Sequence, residues 1–184
     1  MEHSTKRLAV SLVALLAMLA FFATLSAAAQ GVADSPAIIN PAIDEAAYVR
    51  AVEDALGHRA GRRLSEADFI RMSREPGTIV LDARSKAMFD ELHVEGAINL
   101  SFPDIAVESL ALALPDKSAR ILIYCNNNFT NNEAAFPSKI KIASLNLSTY
   151  IALYSYGYKN VYELAPQIDP EKSKFTFVSA TAKR

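Results

Sequence analysis

The residue best suited to chemistry is Cys125, the only cysteine in a chain of 184 residues. A lone cysteine cannot form a disulfide within the chain, so it is a free thiol, an intermolecular partner or an inert buried residue. Cys125 directly follows residues 119–124, the most strand-like stretch of the sequence. Because ligands bind beyond the carboxyl ends of strands in open α/β sheets, this position favours a reactive thiol.

The segment after Cys125 predicts an electropositive environment for its sulfur. Residues 126–143 are rich in asparagine and predict a loop, and residues 145–156 predict a helix that ends at Gly157. Loop N–H groups wrapped around a sulfur form an anion-binding nest, and a helix N-terminus adds partial positive charge. Both favour the thiolate, so the sequence predicts that the pKa of Cys125 lies below the ~8.5 of a free cysteine.

Strands alternate with helices from about residue 64 to residue 164, which implies a mostly parallel sheet with helices on both faces. Ser65 and Ser85 are the predicted N-caps of two helices. The basic stretch 58–63 predicts a solvated surface loop. The predicted strands are 78–81, 97–100, 119–124 and 160–164, with a further strand at 175–178, and the predicted helices are 42–56, 65–74, 85–92, 103–114 and 145–156.

The N-terminus has the pattern of a secretory signal peptide. Lys6 and Arg7 precede an apolar run at residues 8–25, and Ala27 and Ala29 supply the small residues of a cleavage site. The alternative is an uncleaved membrane anchor, and only then would the protein contact a membrane. Either way we expect an exported protein, with the periplasm as its compartment. The predicted organisation is a signal peptide at 1–29, a linker and helix at 30–63, one domain at 64–164 and a C-terminal tail at 165–184.

Composition argues against several classes of function. The net charge of −1 provides no basic face for phosphate, so we predict no nucleic-acid partner. Only 6 glycines are present and no dinucleotide fingerprint occurs among them. The three histidines are scattered and do not combine with the single cysteine into a zinc site. The sequence therefore predicts neither a cofactor nor a metal.

Three motifs, in the right order, resemble the rhodanese-like family. Residues 79–85 (IVLDARS), Phe89 and residues 93–100 (HVEGAINL) are similar to the front half of that domain. Residues 121–125 (ILIYC) are similar to the strand that delivers the catalytic cysteine, and residues 157–164 (GYKNVYEL) to the closing segment. The resemblance implies a rhodanese-like open parallel sheet of about five strands with helices on both faces.

The chemistry that this resemblance implies is sulfur transfer. Cys125 would be the catalytic residue, taking sulfane sulfur from a donor such as thiosulfate, holding it as a persulfide and passing it to a thiol or another nucleophile. The partners would be a small sulfur donor or thiol acceptor, or a protein persulfide. The predicted substrate-binding residues are Asn126, Asn127, Asn128 and Phe129, whose amides would stabilise the persulfide charge, and Arg84, which would attract an anion.

The sequence departs from the family in the loop after the cysteine. The usual loop is short and carries a basic residue and a glycine, whereas residues 126–130 (NNNFT) contain neither. A neutral or peptide-bound persulfide, or a small thiol, would suit this loop better than thiosulfate, unless Lys139 or Lys141 folds over the site. Phosphatases of the same fold carry an arginine at the position of Asn131, so phosphatase activity is not expected.

Each candidate residue also has a structural interpretation. In that interpretation the asparagines only shape the loop, Phe129 anchors it, and Arg84 holds loops beside the site together with Asp82. The corresponding alternative function is a non-catalytic rhodanese-fold module that binds a partner or senses redox state through Cys125.

Overall fold

The computed structural model describes residues 40–180. The chain divides after Ile43 into two units, and the helices and strands of the described residues all lie in the unit that begins at Asp44. The predicted signal peptide, residues 1–29, lies outside the described residues. Within residues 40–180, no helix combines the length and the apolar character needed to cross a bilayer.

The described residues form seven strands, five α-helices and four short 3₁₀ helices. The strands are β1 (Arg63–Leu64), β2 (Thr78–Asp82), β3 (His93–Val94), β4 (Ile98–Asn99), β5 (Arg120–Tyr124), β6 (Val161–Leu164) and β7 (Phe177–Val178). The α-helices are α1 (Glu45–Arg59), α2 (Glu66–Ser73), α3 (Lys86–Glu91), α4 (Val107–Ala113) and α5 (Leu145–Ser155). The 3₁₀ helices are Phe102–Asp104, Asn126–Asn128, Lys141–Ala143 and Pro170–Lys172.

Five strands form one parallel sheet in the order β1-β6-β5-β2-β4. The central strand β5 pairs with β2 along its whole length, from Arg120 opposite Thr78 to Tyr124 opposite Asp82. The predicted fold class, an open parallel α/β sheet of five strands with helices on both faces, is confirmed. The edge strand β1 was not predicted, because two residues are too few to show the alternating pattern of a strand.

Successive side chains of β5 enter two different cores, as the pleat of a strand requires. Ile121 and Ile123 pack with residues of α1, α4 and α5, and Leu122 and Tyr124 pack with α2 on the opposite face. The first core includes Ala55, Leu110 and Leu153; the second includes Phe69, Met72, Phe129 and Phe136. Burial on both faces explains why β2 and β5 are almost continuously apolar.

The predicted N-caps are present at the starts of α2 and α3. The Ser65 hydroxyl accepts a hydrogen bond from the Asp68 N–H at 3.1 Å, and the Ser85 hydroxyl accepts one from the Met88 N–H at 3.5 Å. These bonds satisfy N–H groups that would otherwise have no partner in the first turn of each helix.

Aromatic residues attach the loop 126–143 to the body of the domain. The rings of Phe129 and Phe136 are buried with their centroids 4.4 Å apart. Phe177 of β7 packs on both rings, and β7 pairs in antiparallel register with β3. The strand predicted at 175–178 is therefore present as Phe177–Val178, and the segment that carries it covers one face of the sheet.

Candidate active site

Cys125 lies where β5 ends, between the 3₁₀ helix Asn126–Asn128 and the N-terminus of α5. The backbone N–H groups of Asn127, Leu145 and Asn146 face the sulfur, and the Ser144 hydroxyl lies 3.6 Å from it. Three amides and one hydroxyl thus form a cradle around Sγ, and two of the amides belong to the first turn of α5. Such a cradle can stabilise negative charge on this sulfur, or on a second sulfur bonded to it.

Burial of Cys125 and the hydrogen-bond donors around it have opposite effects on the pKa of the thiol. Cys125 has no solvent-exposed surface, and this burial raises the pKa of the thiol above its ordinary value. The Ser144 hydroxyl and the three amides lower the pKa but do not offset the desolvation. The prediction of a lowered pKa is therefore contradicted in direction, because the loop that supplies the amides also excludes water.

The alkylation rate of Cys125 should consequently keep rising to a higher pH than the rate of an ordinary thiol. Because the thiolate is the reactive form, we expect the rate with iodoacetamide to rise about tenfold per pH unit from about pH 7 and to continue rising past the ordinary pKa. The rate would be measured by intact mass on the native protein, with the urea-unfolded protein as control. A native rate that levels off at lower pH than the unfolded rate would contradict this prediction.

Asn128 connects three elements around Cys125. Its side-chain oxygen accepts hydrogen bonds from the Cys125 N–H at 2.9 Å and from Nδ2 of Asn146 at 3.0 Å. Its Nδ2 donates to the carbonyl oxygens of Leu164 at 2.8 Å and of Pro166 at 3.3 Å. The buried amide thereby fixes the end of β5 against the end of β6 and the start of α5, which gives Asn128 a positioning role.

The other amides near Cys125 have unused acceptors. Nδ2 of Asn127 donates to the Lys139 carbonyl oxygen at 2.7 Å, whereas its Oδ1 has no partner. The Oδ1 atoms of the buried residues Asn126 and Asn146 are also unpaired within residues 40–180. Because unpaired buried acceptors are costly, three of them beside one thiol indicate a place where a hydrogen-bond donor binds.

The structure places Arg84 in the interior. Its side chain is 0% exposed and forms an ion pair with Asp82, with Nη2 at 2.6 Å from Oδ2. The guanidinium also donates to the carbonyl oxygens of Ala135 at 2.6 Å and of Leu92 at 2.7 Å, and lies over the Phe136 ring. These contacts support the structural interpretation of Arg84 and not the prediction that it attracts an anion.

Phe129 also has a structural role, because its side chain packs in the interior. Its ring is fully buried and contacts the rings of Tyr124 and Phe136, with centroid distances of 5.8 Å and 4.4 Å. The structure therefore supports the interpretation of Phe129 as a loop anchor. Of the predicted substrate-binding residues, Asn127 and Asn128 are the two that line an open cleft beside the thiol.

That cleft has a volume of about 450 Å³ and a basic lining. Ser144, which contacts the sulfur, forms part of its wall, together with Arg59, Arg63, Lys141 and Glu163. The buried carboxylate of Glu163 accepts two hydrogen bonds from Arg59 and one from Arg63, the latter at 3.1 Å. Three cations and one carboxylate give the lining a net charge of +2.

Arg59 and Arg63, two of the three basic residues of the cleft, were missed by sequence reasoning. The prediction of a solvated loop at 58–63 is wrong in part, because α1 extends to Arg59 and β1 begins at Arg63. The only signal in the sequence was Glu163, a carboxylate within an otherwise apolar strand, which needs a buried cationic partner. Lys141 lines the cleft from the far end of the loop. On the sequence alone, Lys139 or Lys141 was the cation that could fold over the site.

Comparison with known proteins agrees with this architecture. A family model described as the rhodanese-like domain matches residues 65–165, more than half of the chain. The chain belongs to the rhodanese-like domain family. It is 33% identical over 54 residues to the thiosulfate sulfurtransferase PspE of Escherichia coli (strain K12). That match covers 29% of this chain and spans 51% of the length of PspE.

Solved structures with a similar fold have low sequence identity to this chain. One, described as a rhodanese with anions from E. coli, is 24% identical, with a TM-score of 0.38, and the match covers 55% of this chain and 98% of that one. Another, the Alr3790 protein from Anabaena sp., is 20% identical, with a TM-score of 0.45, and the match covers 63% of this chain and 80% of that one.

Proposed function

We propose that this protein is a sulfurtransferase that carries sulfane sulfur as a persulfide on Cys125. The observation that supports this most directly is the cradle of three backbone N–H groups and the Ser144 hydroxyl around Sγ. A persulfide is more acidic than a thiol and is anionic at neutral pH, so donors fixed around the sulfur stabilise the loaded form. Membership of the rhodanese-like family and the partial match to a thiosulfate sulfurtransferase support the same chemistry.

The reaction has two displacements, each at a sulfur atom. In the first, the Cys125 thiolate attacks the outer sulfur of a donor such as thiosulfate, an Sγ–S bond forms, and sulfite leaves with the electron pair of the broken S–S bond. The thiol proton goes to solvent. In the second, an acceptor thiolate attacks the outer sulfur, the Sγ–S bond breaks, and its electron pair returns to Cys125 as the thiolate. No oxidant or metal is consumed.

The raised pKa of Cys125 affects the loading step. At neutral pH a smaller fraction of Cys125 is ionised than of an ordinary thiol, which slows its attack on the donor. The net positive cleft draws an anionic donor toward the sulfur and offsets part of this cost. The N-terminal sequence pattern leads us to propose the periplasm as the place of action.

Intact mass tests the proposal. The chain from Gln30 onward would be incubated with thiosulfate and separately with a low-molecular-weight persulfide. We expect a gain of ~32 Da, discharged by cyanide or by a thiol, as covalent catalysis through Cys125 requires. The control is Cys125→Ser, which keeps the size and the hydrogen-bonding capacity of the side chain and should gain nothing. A gain in the variant, or none in the wild type from either donor, would reject the proposal.

A second candidate is a non-catalytic module that binds a partner through the same cleft. The observation that favours it is the complete burial of Cys125 together with the raised pKa. This candidate expects no persulfide from any donor and a native thiol that resists alkylation at neutral pH. The mass experiment therefore separates the two functions.

A further inference from the structure

The cleft beside Cys125 carries two kinds of unused binding group. Within residues 40–180, Arg63 donates only its Nε to Glu163, so its Nη groups remain available, and Nζ of Lys141 has no ion-pair partner. Arg59, by contrast, uses its guanidinium on Glu163. Two cations at the wall of one cleft fit a ligand that carries carboxylates.

The second kind of group is the unpaired amide oxygen. Asn146 is 5% exposed and lines the cleft, yet its Oδ1 has no partner, and the same holds for Oδ1 of the half-buried Asn127. Acceptors of this kind are satisfied by N–H donors, which an inorganic anion such as thiosulfate lacks. The ligand therefore needs carboxylates and N–H groups together.

The volume of the cleft also favours an organic ligand. The cleft volume of about 450 Å³ lies within the range of about 300–1,000 Å³ that is typical of sites for organic ligands. A peptide-like molecule supplies carboxylates, backbone N–H groups and that bulk. The cleft wall includes Ser144, whose hydroxyl lies 3.6 Å from Sγ, so a thiol bound in the cleft would lie next to the persulfide.

From these observations we infer that the cleft binds the sulfur acceptor, and that this acceptor is a peptide-like thiol bearing carboxylates. Arg63 and Lys141 determine this specificity. The inference rests on the proposed sulfurtransferase function and adds the acceptor class to it.

Matched peptides test the inference. The persulfidated protein would react with acetyl-Asp-Cys-Asp amide, acetyl-Asn-Cys-Asn amide and acetyl-Lys-Cys-Lys amide, and discharge would be followed by intact mass. The result for each charged peptide is its discharge rate divided by the rate with the neutral peptide. This ratio is compared between protein variants, so that differences in the thiol chemistry of the peptides cancel. The wild type should prefer the acidic peptide, and the preference should weaken as salt screens the charges.

The variants identify the residues responsible. Arg63→Gln and Lys141→Gln should each reduce the acidic preference by about threefold, in line with single solvent-accessible charge pairs. The matched control is Arg50→Gln, which removes an exposed positive charge of α1 outside the cleft and should change nothing. An acidic preference that is absent in the wild type, or unchanged in both cleft variants, would overturn the inference.

A binding measurement separates this inference from the function on which it rests. Acetyl-Asp-Ser-Asp amide would be titrated into Cys125→Ser and followed by NMR, with no sulfur transfer needed. We expect shifts at the backbone amides of Arg63 and Lys141, which disappear in Arg63→Gln/Lys141→Gln. Failure of the wild type to load sulfur would reject the proposed function, whereas absent or scattered shifts would reject the acceptor cleft.

The same chemistry could be presented by a free small thiol or by a cysteine on a protein. Ile140 and Ile142 flank Lys141 in the chain and are 70% and 86% exposed, which places two exposed apolar side chains beside this cation. If the acceptor is a protein segment, leucines added to both ends of the acidic peptide should speed discharge in the wild type but not in Ile142→Ser. A rate unaffected by the leucines assigns the cleft to a small thiol.

Discussion

Replacing Arg84 with methionine is expected to lower the free energy of unfolding by about 3–5 kcal/mol, the usual cost of breaking a buried ion pair from one side. Both side chains of the Asp82–Arg84 pair are 0% exposed. The substitution leaves the carboxylate of Asp82 in the interior without its cation, and the carbonyl oxygens of Leu92 and Ala135 without their side-chain donor. Methionine fills a similar volume, so the loss comes from the polar contacts and not from a cavity.

Urea unfolding at neutral pH would measure this effect. The matched control is Arg71→Met, because Arg71 also pairs with carboxylates, those of Asp68 and Glu75, but its side chain is 61% exposed. We expect that control to cost less than about 1 kcal/mol, as surface pairs do. A loss from Arg84→Met no larger than the control loss would contradict the structural assignment.

The same variant also tests the predicted role of Arg84 in attracting an anion. If Arg84 is structural, the fraction of Arg84→Met that remains folded should load sulfur from thiosulfate with an unchanged KM. A raised KM in that folded fraction would instead mean that the guanidinium reaches the donor. Stability and KM therefore separate the two interpretations in a single protein preparation.

The central part of the fold could be predicted from local pattern alone. Strands β2 and β5 are buried on both faces, so their sequences are almost continuously apolar, and N-caps such as Ser65 mark the starts of helices. Those two signals were enough to place Cys125 at the carboxyl end of a parallel strand. The edge strand β1 gave no such signal.

The surroundings of the thiol could not be predicted, because they depend on contacts between distant parts of the chain. Glu163 pairs with Arg59, more than a hundred residues earlier, and Lys141 enters the cleft from the end of the long loop. The predicted direction of the Cys125 pKa shift was wrong for a related reason. Hydrogen-bond donors after Cys125 are visible in the sequence, whereas the burial that outweighs them depends on how the chain folds over the sulfur.

The asparagine loop illustrates the same distinction within one motif. Residues 126–128 are three identical side chains in a row, and the sequence offers no reason to treat them differently. In the structure, Asn128 bonds to backbone and side-chain groups on all sides, whereas Asn126 and Asn127 retain unpaired oxygens. Asn128 therefore holds the site together, Asn127 lines the cleft with an unpaired oxygen, and Asn126 is buried outside the cleft lining.

Replacing Asn128 with alanine is accordingly expected to have the second-largest effect. The substitution leaves the Cys125 N–H, the Leu164 carbonyl oxygen and Nδ2 of Asn146 without their partner. Each unsatisfied buried group costs about 1–3 kcal/mol, and partial relaxation should bring the total loss to about 2–4 kcal/mol. A suitable control is Asn131→Gly, which keeps the positive φ of 58° accessible and removes one exposed hydrogen bond to Asp169.

The readout that distinguishes positioning from mere stability is the chemistry of the sulfur in the folded protein. Without Asn128, the 3₁₀ helix after Cys125 is no longer fixed to α5, so the Asn127 amide and the two α5 amides no longer converge on Sγ. We expect iodoacetamide to alkylate Cys125 faster at neutral pH, because the thiol is less enclosed, and the loaded persulfide to decay faster, because its charge is less stabilised. Asn131→Gly should change neither rate. If Asn128→Ala lost stability yet kept both rates, the amide would be a structural link with no bearing on the thiol, and the cradle would be held in place by α5 alone.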